Sequence, residues 1–269
     1  MSRTPWLEVN KSEEAVRLDI SQLCSPGVFV ELSPIDEYYS NSLLLLLRSG
    51  ESSFSEQWML RLLLLGQVSV TETYFRRILS GLLNVCPVVR RTASAETVAL
   101  GAVFYYKSED LGYGLIENAS MSGVKEIKSQ TQKVAGVAIP NNSSISAAIE
   151  AFDKVCHLRH ATVHFHGELS SRNARELGIE PSESRAVWLT PITFQAIVGT
   201  CHNAVRAYNR FMFERVLERW TGEGLLQSDW NEDRKLFRPL HKLFYSNRDG
   251  VGIRRPYSAY LQFRARVLK

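Results

Sequence analysis

The chain is poor in cysteine, and Cys24, Cys86, Cys156 and Cys201 are scattered along its 269 residues without a C-x-x-C pair. That spacing argues against a disulfide scaffold or a zinc ribbon and leads us to expect a reducing, cytoplasmic compartment. The start, Met1 to Lys11, lacks the apolar core of a secretory leader, so none is expected there. Long apolar runs are missing too. Leu43 to Leu47 and Leu62 to Leu65 are intensely apolar, but Arg48, Glu51, Glu56 and Arg61 punctuate the region. Neither run approaches the ~20 residues of a membrane span, and both read as buried helix. There is no internal repeat and no low-complexity tract.

What is present is enough for a sizeable core: 45% of the residues are apolar. The net charge of +4 is unevenly spread. Residues 1–140 carry 13 basic against 15 acidic side chains, and residues 141–269 carry 19 against 13. From Arg234 onward ten basic residues, among them Arg254, Arg255, Arg264 and Arg266, face the single acid Asp249. Tyr245, Tyr257, Tyr260, Phe237, Phe244 and Phe263 are interleaved with them. Basic residues mixed with aromatics suit a polyanion with stackable bases, and equally suit a solvated subdomain with ordinary core aromatics.

Hydrophobic periodicity predicts a mainly α chain. A short strand, Val28 to Leu32, follows Ser25-Pro26-Gly27. Pro34 opens a helix through Arg48. A long helix runs from about Ser55 to Val85, with Met59, Leu62, Leu63, Val70, Tyr74, Ile78 and Leu82 on one face, and Cys86-Pro87 ends it. Val98 to Tyr106 reads as strand, irregular insertion or helix, with Gly112 and Gly114 as breakers after it. A weaker helix spans Ile116 to Val134. Ser143 or Ser144 caps the next helix, which runs to about Phe165 with Gly167 near its end. A short helical turn is expected from Ser171 to Leu177. Pro191 opens a second long helix to Trp220, stopped by Gly222 and Gly224. The expected organisation is an N-terminal extension, 1–50, a helical bundle, 51–225, and a basic C-terminal segment, 226–269.

The end of the 144–166 helix carries the chemistry: Arg159-His160-Ala161-Thr162-Val163-His164-Phe165-His166-Gly167. Arginine offers a permanent planar charge matched to phosphate, and histidine moves protons near neutral pH. On an ideal helix Arg159 and His164 lie about 140° apart, whereas His160 and His164 share a face. Three readings compete. Arg159 holds a phosphate while His164 transfers a proton; or Cys156, His160 and His164 present part of a metal site; or these are surface residues and a structural ion pair. The outer two of the three metal candidates stand about 12 Å apart along the axis, too far to close on one ion, and no acid separates the histidines as in H-E-x-x-H.

The string Arg159-His160-x₃-His164 near a helix end, followed by a second long amphipathic helix, resembles the HEPN superfamily, helical bundles that include many metal-independent ribonucleases. The stretch Val68 to Arg77, with Glu72 near its middle, is similar to the first bundle helix of that family. The resemblance covers roughly residues 55–220 and implies an HEPN-like helical bundle. It also implies an endoribonuclease without metal or other cofactor, of the microbial toxin or antiviral-defence type. Arg159 would hold the scissile phosphate, His164 would act as general acid or base, His160 would orient them, and Glu72 would hold Arg159. RNA, contacted also by Arg254, Arg255, Arg264 and Arg266, and a second copy of the chain are the implied partners, with a regulatory or antitoxin protein as a further one. A subgroup of the family carries a modifiable tyrosine two residues after the histidine; here that position is His166, which removes that route of control. The alternative is a catalytically silent HEPN-like module that binds RNA, a nucleotide or a protein.

Overall fold

The computed structural model describes residues 10, 15, 17–25, 32–51, 56–180 and 184–267. Contacts divide the chain into two units, Met1–Glu31 and Leu32–Lys269. In the first, the described residues hold a 3₁₀ turn, Ile20–Leu23, capped by the Asp19 carboxylate. The expected strand from Val28 falls outside the described residues up to Glu31.

The second unit is built from helices: α1 (Pro34–Ser49), α2 (Gln57–Val85), α3 (Pro87–Ala93), α4 (Leu100–Tyr105), α5 (Leu111–Ile116), α6 (Val124–Gln130), α7 (Ser144–Phe165), α8 (Ser171–Glu176), α9 (Pro191–Gly222), α10 (Trp230–Phe244) and α11 (Pro256–Val267). Among the described residues there is no β-strand, only one isolated antiparallel bridge between Glu168 and Ala186. The fold is mainly α. No helix of the described residues is long and apolar enough to cross a membrane.

Local chemistry sets the helix starts. Ser33 accepts from Asp36 N, Ser143 from Ser146 N, and Thr190 with Thr193 forms a reciprocal capping box ahead of Pro191. α2, α7 and α9 pack on one another, α1 lies along α2 and α9, and α10 packs on α2 and carries α11. The shared core is aromatic. Tyr74, Phe75, Phe152, Phe194, Tyr208 and Trp220 are fully buried, and Phe75 meets Tyr208 edge to face at 4.9 Å between ring centroids. Burying each such ring contributes about 1.5–3 kcal/mol. Asp36, 1% exposed, ties the start of α1 to the turn after α10. It accepts from Ser246 Oγ at 2.6 Å, Asn247 N at 3.0 Å, Asn247 Nδ2 at 3.2 Å and Arg248 N at 3.2 Å.

The middle of the chain departs from its periodicity. Of the three readings of Val98 to Tyr106, the structure has the helix, α4. Gly112 and Gly114 do not break a helix but lie within α5, where they permit close approach: a Cβ on Gly114 would sit 2.8 Å from the Ala102 Cβ of α4. The single helix expected over 116–134 starts only at Val124, because Asn118 to Gly123 forms a polar turn in which the Ser120 and Ser122 hydroxyls bond at 2.8 Å. Its last turn, Thr131–Ala135, widens to π geometry before Gly136. In the basic C-terminal segment Phe237 and Tyr260 are core residues, so those rings are not available to stack on bases.

Candidate active site at the end of α7

α7 closes with His166 in the left-handed region, φ 49°, followed by Gly167 at φ 96°. The second of these demands glycine, since a Cβ there would meet Arg61 Cζ at 2.5 Å. Arg61, on α2, clamps this turn. Its Nη1 donates to His166 O at 2.6 Å, and Nε and Nη2 donate to Val187 O at 3.1 and 2.7 Å. Position 166 is thus a helix cap whose ring is exposed.

Two turns back, Arg159 Nη2 meets Glu72 Oε1 at 2.8 Å. The other carboxylate oxygen, Oε2, takes Arg76 Nη2 at 3.1 Å, and Arg76 also donates to Ala119 O. Glu72 is 9% exposed, so two guanidinium groups share one nearly buried carboxylate and leave a net positive charge. Such a pair fixes the arginine's direction more than it adds stability.

His160 is held from its other side by Asn173 of α8, 2% exposed, which the sequence reading did not single out. Asn173 Nδ2 donates to His160 Nδ1 at 3.2 Å, and Asn173 Oδ1 accepts from His157 Nδ1 at 3.2 Å. An amide nitrogen only donates and an amide oxygen only accepts, so the two histidines take opposite tautomers. His160 carries its proton on Nε2, and His157 carries one on Nδ1. Burial, then the positive potential of His164, Arg159, His157 and Arg172, holds the His160 pKa below its ordinary value of 6.5. The ring is therefore mostly neutral at pH 7, with an N–H to offer. The His164 ring lies beside it, centroids 4.5 Å apart and planes at 46°.

These groups surround a cavity of about 150 Å³, lined by Arg159, His160, His157, Asn173, Ser122 and, from α8, Arg172. Cys156 also reaches it, but burial pushes the thiol pKa well up and keeps it protonated. Of the motif residues, Arg159 and His160 line the cavity and the exposed His164 does not; it reaches the site through the His160 ring. Among the described residues no group of three His, Cys, Asp or Glu side chains is placed to hold a metal ion.

Other polar and basic residues of these helices fall in different places. Arg172 lines the cavity, whereas Arg175 is merely exposed. His202 and Arg206 belong to another cluster, with Ser42, Tyr39 and Asp249, and Tyr208 is buried against Thr131. Arg254, Arg255, Arg264 and Arg266 are all exposed around α11, and Arg264 Nη1 reaches Ser228 O at 3.3 Å.

Chemically, the cavity presents two guanidinium groups, a neutral imidazole N–H and a second imidazole at its edge, a set suited to a phosphate or similar anion. No family model, curated protein or solved structure matches the chain.

Proposed function

We propose that the chain is a metal-independent endoribonuclease of HEPN type, acting as a homodimer in the cytoplasm as a microbial toxin or antiviral-defence effector. The observation that carries this reading is the α7 cavity, lined by Arg159, Arg172 and His160, with the His164 ring 4.5 Å from the His160 ring between centroids. In this scheme the arginines hold the scissile phosphate and His160 Nε2–H donates to a non-bridging oxygen. His164 takes the 2′-hydroxyl proton or returns one to the 5′-oxygen. The 2′-oxygen forms a bond to phosphorus as the bond to the 5′-oxygen breaks, leaving a 2′,3′-cyclic phosphate and a 5′-hydroxyl. Proton transfer by a positioned histidine is worth about 10²–10⁴-fold, and charge stabilisation adds to it.

A second copy of the chain fits this scheme, because one α7 leaves His164 outside the cavity lined by Arg159. Around the turn held by Arg61, large apolar side chains are exposed: Phe165 beside His164, Trp58 and Leu62 on α2, and Trp188 and Ile192, 73% and 78% exposed. Exposed apolar residues grouped on adjoining elements favour a protein interface. Pairing there would bring two α7 ends towards one cleft and let two His164 side chains share the two proton transfers. Arg254, Arg255, Arg264 and Arg266 would then steer and hold the RNA backbone. A regulatory or antitoxin protein remains a partner of the proposal.

A second reading, a silent module that binds RNA, a nucleotide or a protein, draws support from the pairing of Arg159 with Glu72 and from the position of His164. Incubation with end-labelled tRNA and mRNA in EDTA separates the two. Cleavage by the wild type with 2′,3′-cyclic ends, lost in Arg159→Ala and lost in His164→Ala while RNA affinity persists there, supports the enzyme. Binding without turnover, in purified protein and on induced expression in cells, supports the module. Cleavage surviving both substitutions refutes the site.

A further inference from the structure

We propose that a second cavity, walled by α9, α10, α11 and the turn 245–253, binds a planar heteroaromatic anion of the mononucleotide class. It is separate from the α7 cavity, and the proposal stands whether or not the chain is a ribonuclease.

Its volume is about 450 Å³, inside the range of roughly 300–1,000 Å³ typical of small-molecule sites. Phe213, Phe244, Tyr245 and Phe263 supply apolar, aromatic walls. Such walls alone would describe a packing gap, but two further features point to a ligand.

The first is a directed acceptor. His241 lines the cavity and is 7% exposed. Its Nε2 lies 3.0 Å from the Ile253 carbonyl oxygen, and a carbonyl only accepts, so the ring proton is on Nε2 and Nδ1 is left as an acceptor. Burial holds its pKa below the ordinary value, which keeps Nδ1 unprotonated at neutral pH. The ring is stacked on Tyr245 with planes 15° apart and centroids 5.0 Å apart, which fixes its direction. A heteroaromatic ring carrying an N–H or amino group is matched to an aromatic wall with one acceptor.

The second is charge. Arg266 and Arg210 stand at the cavity, and neither has an ion-pair partner among the described residues. Glu214 also lines the cavity, one turn along α9 from Arg210. Asp249, also at the cavity, is occupied by Arg206 at 2.9 Å and the Tyr39 hydroxyl at 3.0 Å. An anionic substituent on the ring would find Arg266. The turn over the cavity is already fixed by Asp36, so little ordering is required on binding.

The test titrates the full chain with AMP, UMP, adenosine, inorganic phosphate and hexaadenylate, using calorimetry and saturation-transfer NMR. We expect AMP or UMP to bind one to one. Arg266→Ala should weaken AMP at least fivefold while leaving adenosine unchanged, and Phe263→Ala should weaken both. Arg266 is exposed and Phe263 partly so, and circular dichroism establishes that each variant is folded. Binding of hexaadenylate with the same variant pattern, but not of free AMP, assigns the cavity to a nucleotide within an RNA chain. The proposal is overturned if neither nucleotide nor hexaadenylate binds at millimolar concentration. It is equally overturned if phosphate binds as tightly as AMP, or if both variants bind like the wild type.

Discussion

Two clusters in this molecule set a histidine beside an arginine and a carboxylate, and they are built to opposite ends. Around His202, the polar groups are bonded to one another. Ser42 Oγ bonds His202 Nε2 at 3.1 Å and donates to Gln67 Oε1 at 2.9 Å. Arg206 Nε reaches the Tyr39 hydroxyl at 2.6 Å, and Tyr39 donates on to Asp249. The Tyr38 and Tyr39 rings meet His202 edge-on. A serine hydrogen-bonded to a histidine near an aspartate invites a nucleophile reading, but Ser42 is fully buried and its proton is committed. Around His160 the polar chain runs from His157 through Asn173 and stops at His160, which is exposed and lines a cavity. Burial holds both histidines below their ordinary pKa. What separates them is where the chain of partners ends: a closed ring of partners specifies packing, and an open one leaves a group for a ligand.

The comparison breaks most decisively at His164. His164→Ala should lower RNA cleavage by about 10²–10⁴-fold, while His202→Ala, measured per folded molecule, should leave it nearly unchanged; equal losses would erase the distinction. Asp36→Ala comes next, because it frees the turn that carries Asp249. About 3 kcal/mol of stability should be lost, read by urea unfolding, since several buried donors go unpaired. Its pH dependence follows from the sign of the shift. Hydrogen bonds from Ser246, Asn247 and Arg248 outweigh burial and hold the Asp36 pKa below 3.8. The contribution is therefore complete above the unfolded value and is lost as pH falls through the lower folded one. Acid unfolding curves of wild type and Asp36→Asn should converge in that window, and parallel curves would contradict it.

Smaller effects sharpen the open end. In Asn173→Ala, His160 should lose its single tautomer, seen as averaged imidazole ¹⁵N shifts, and cleavage should fall about tenfold, on the order of 1.4 kcal/mol. An unchanged tautomer would show that Asn173 only packs. Ser42→Ala should be the mildest, about 1 kcal/mol of stability with cleavage intact.

Much of this architecture is legible in the chain. Ser143, Pro191 and Cys86-Pro87 mark helix ends by local stereochemistry, and the structure has them there. The pair between Glu72 and Arg159 is implied by the family resemblance rather than by helix periodicity. The 98–135 region is less readable, because glycine breaks an isolated helix but eases a crowded one, and only the neighbour decides. Asn173 was invisible for a related reason: a lone polar residue has no period, and its role arises when α8 folds back across α7. The aromatics after Arg234 could be stacking surface or core, and only the packing of α10 and α11 separates Tyr257, half exposed, from Tyr260, fully buried.

The turn after α7 also constrains how this chain can change over time. Gly167 and Arg61 are distant in sequence, yet the guanidinium fills the space a side chain at 167 would need. A larger residue at 167 meets that guanidinium and must also hold a φ of 96°, a strain that shortening 61 does not remove. Among descendants of this sequence, position 167 should therefore stay glycine even where 61 changes.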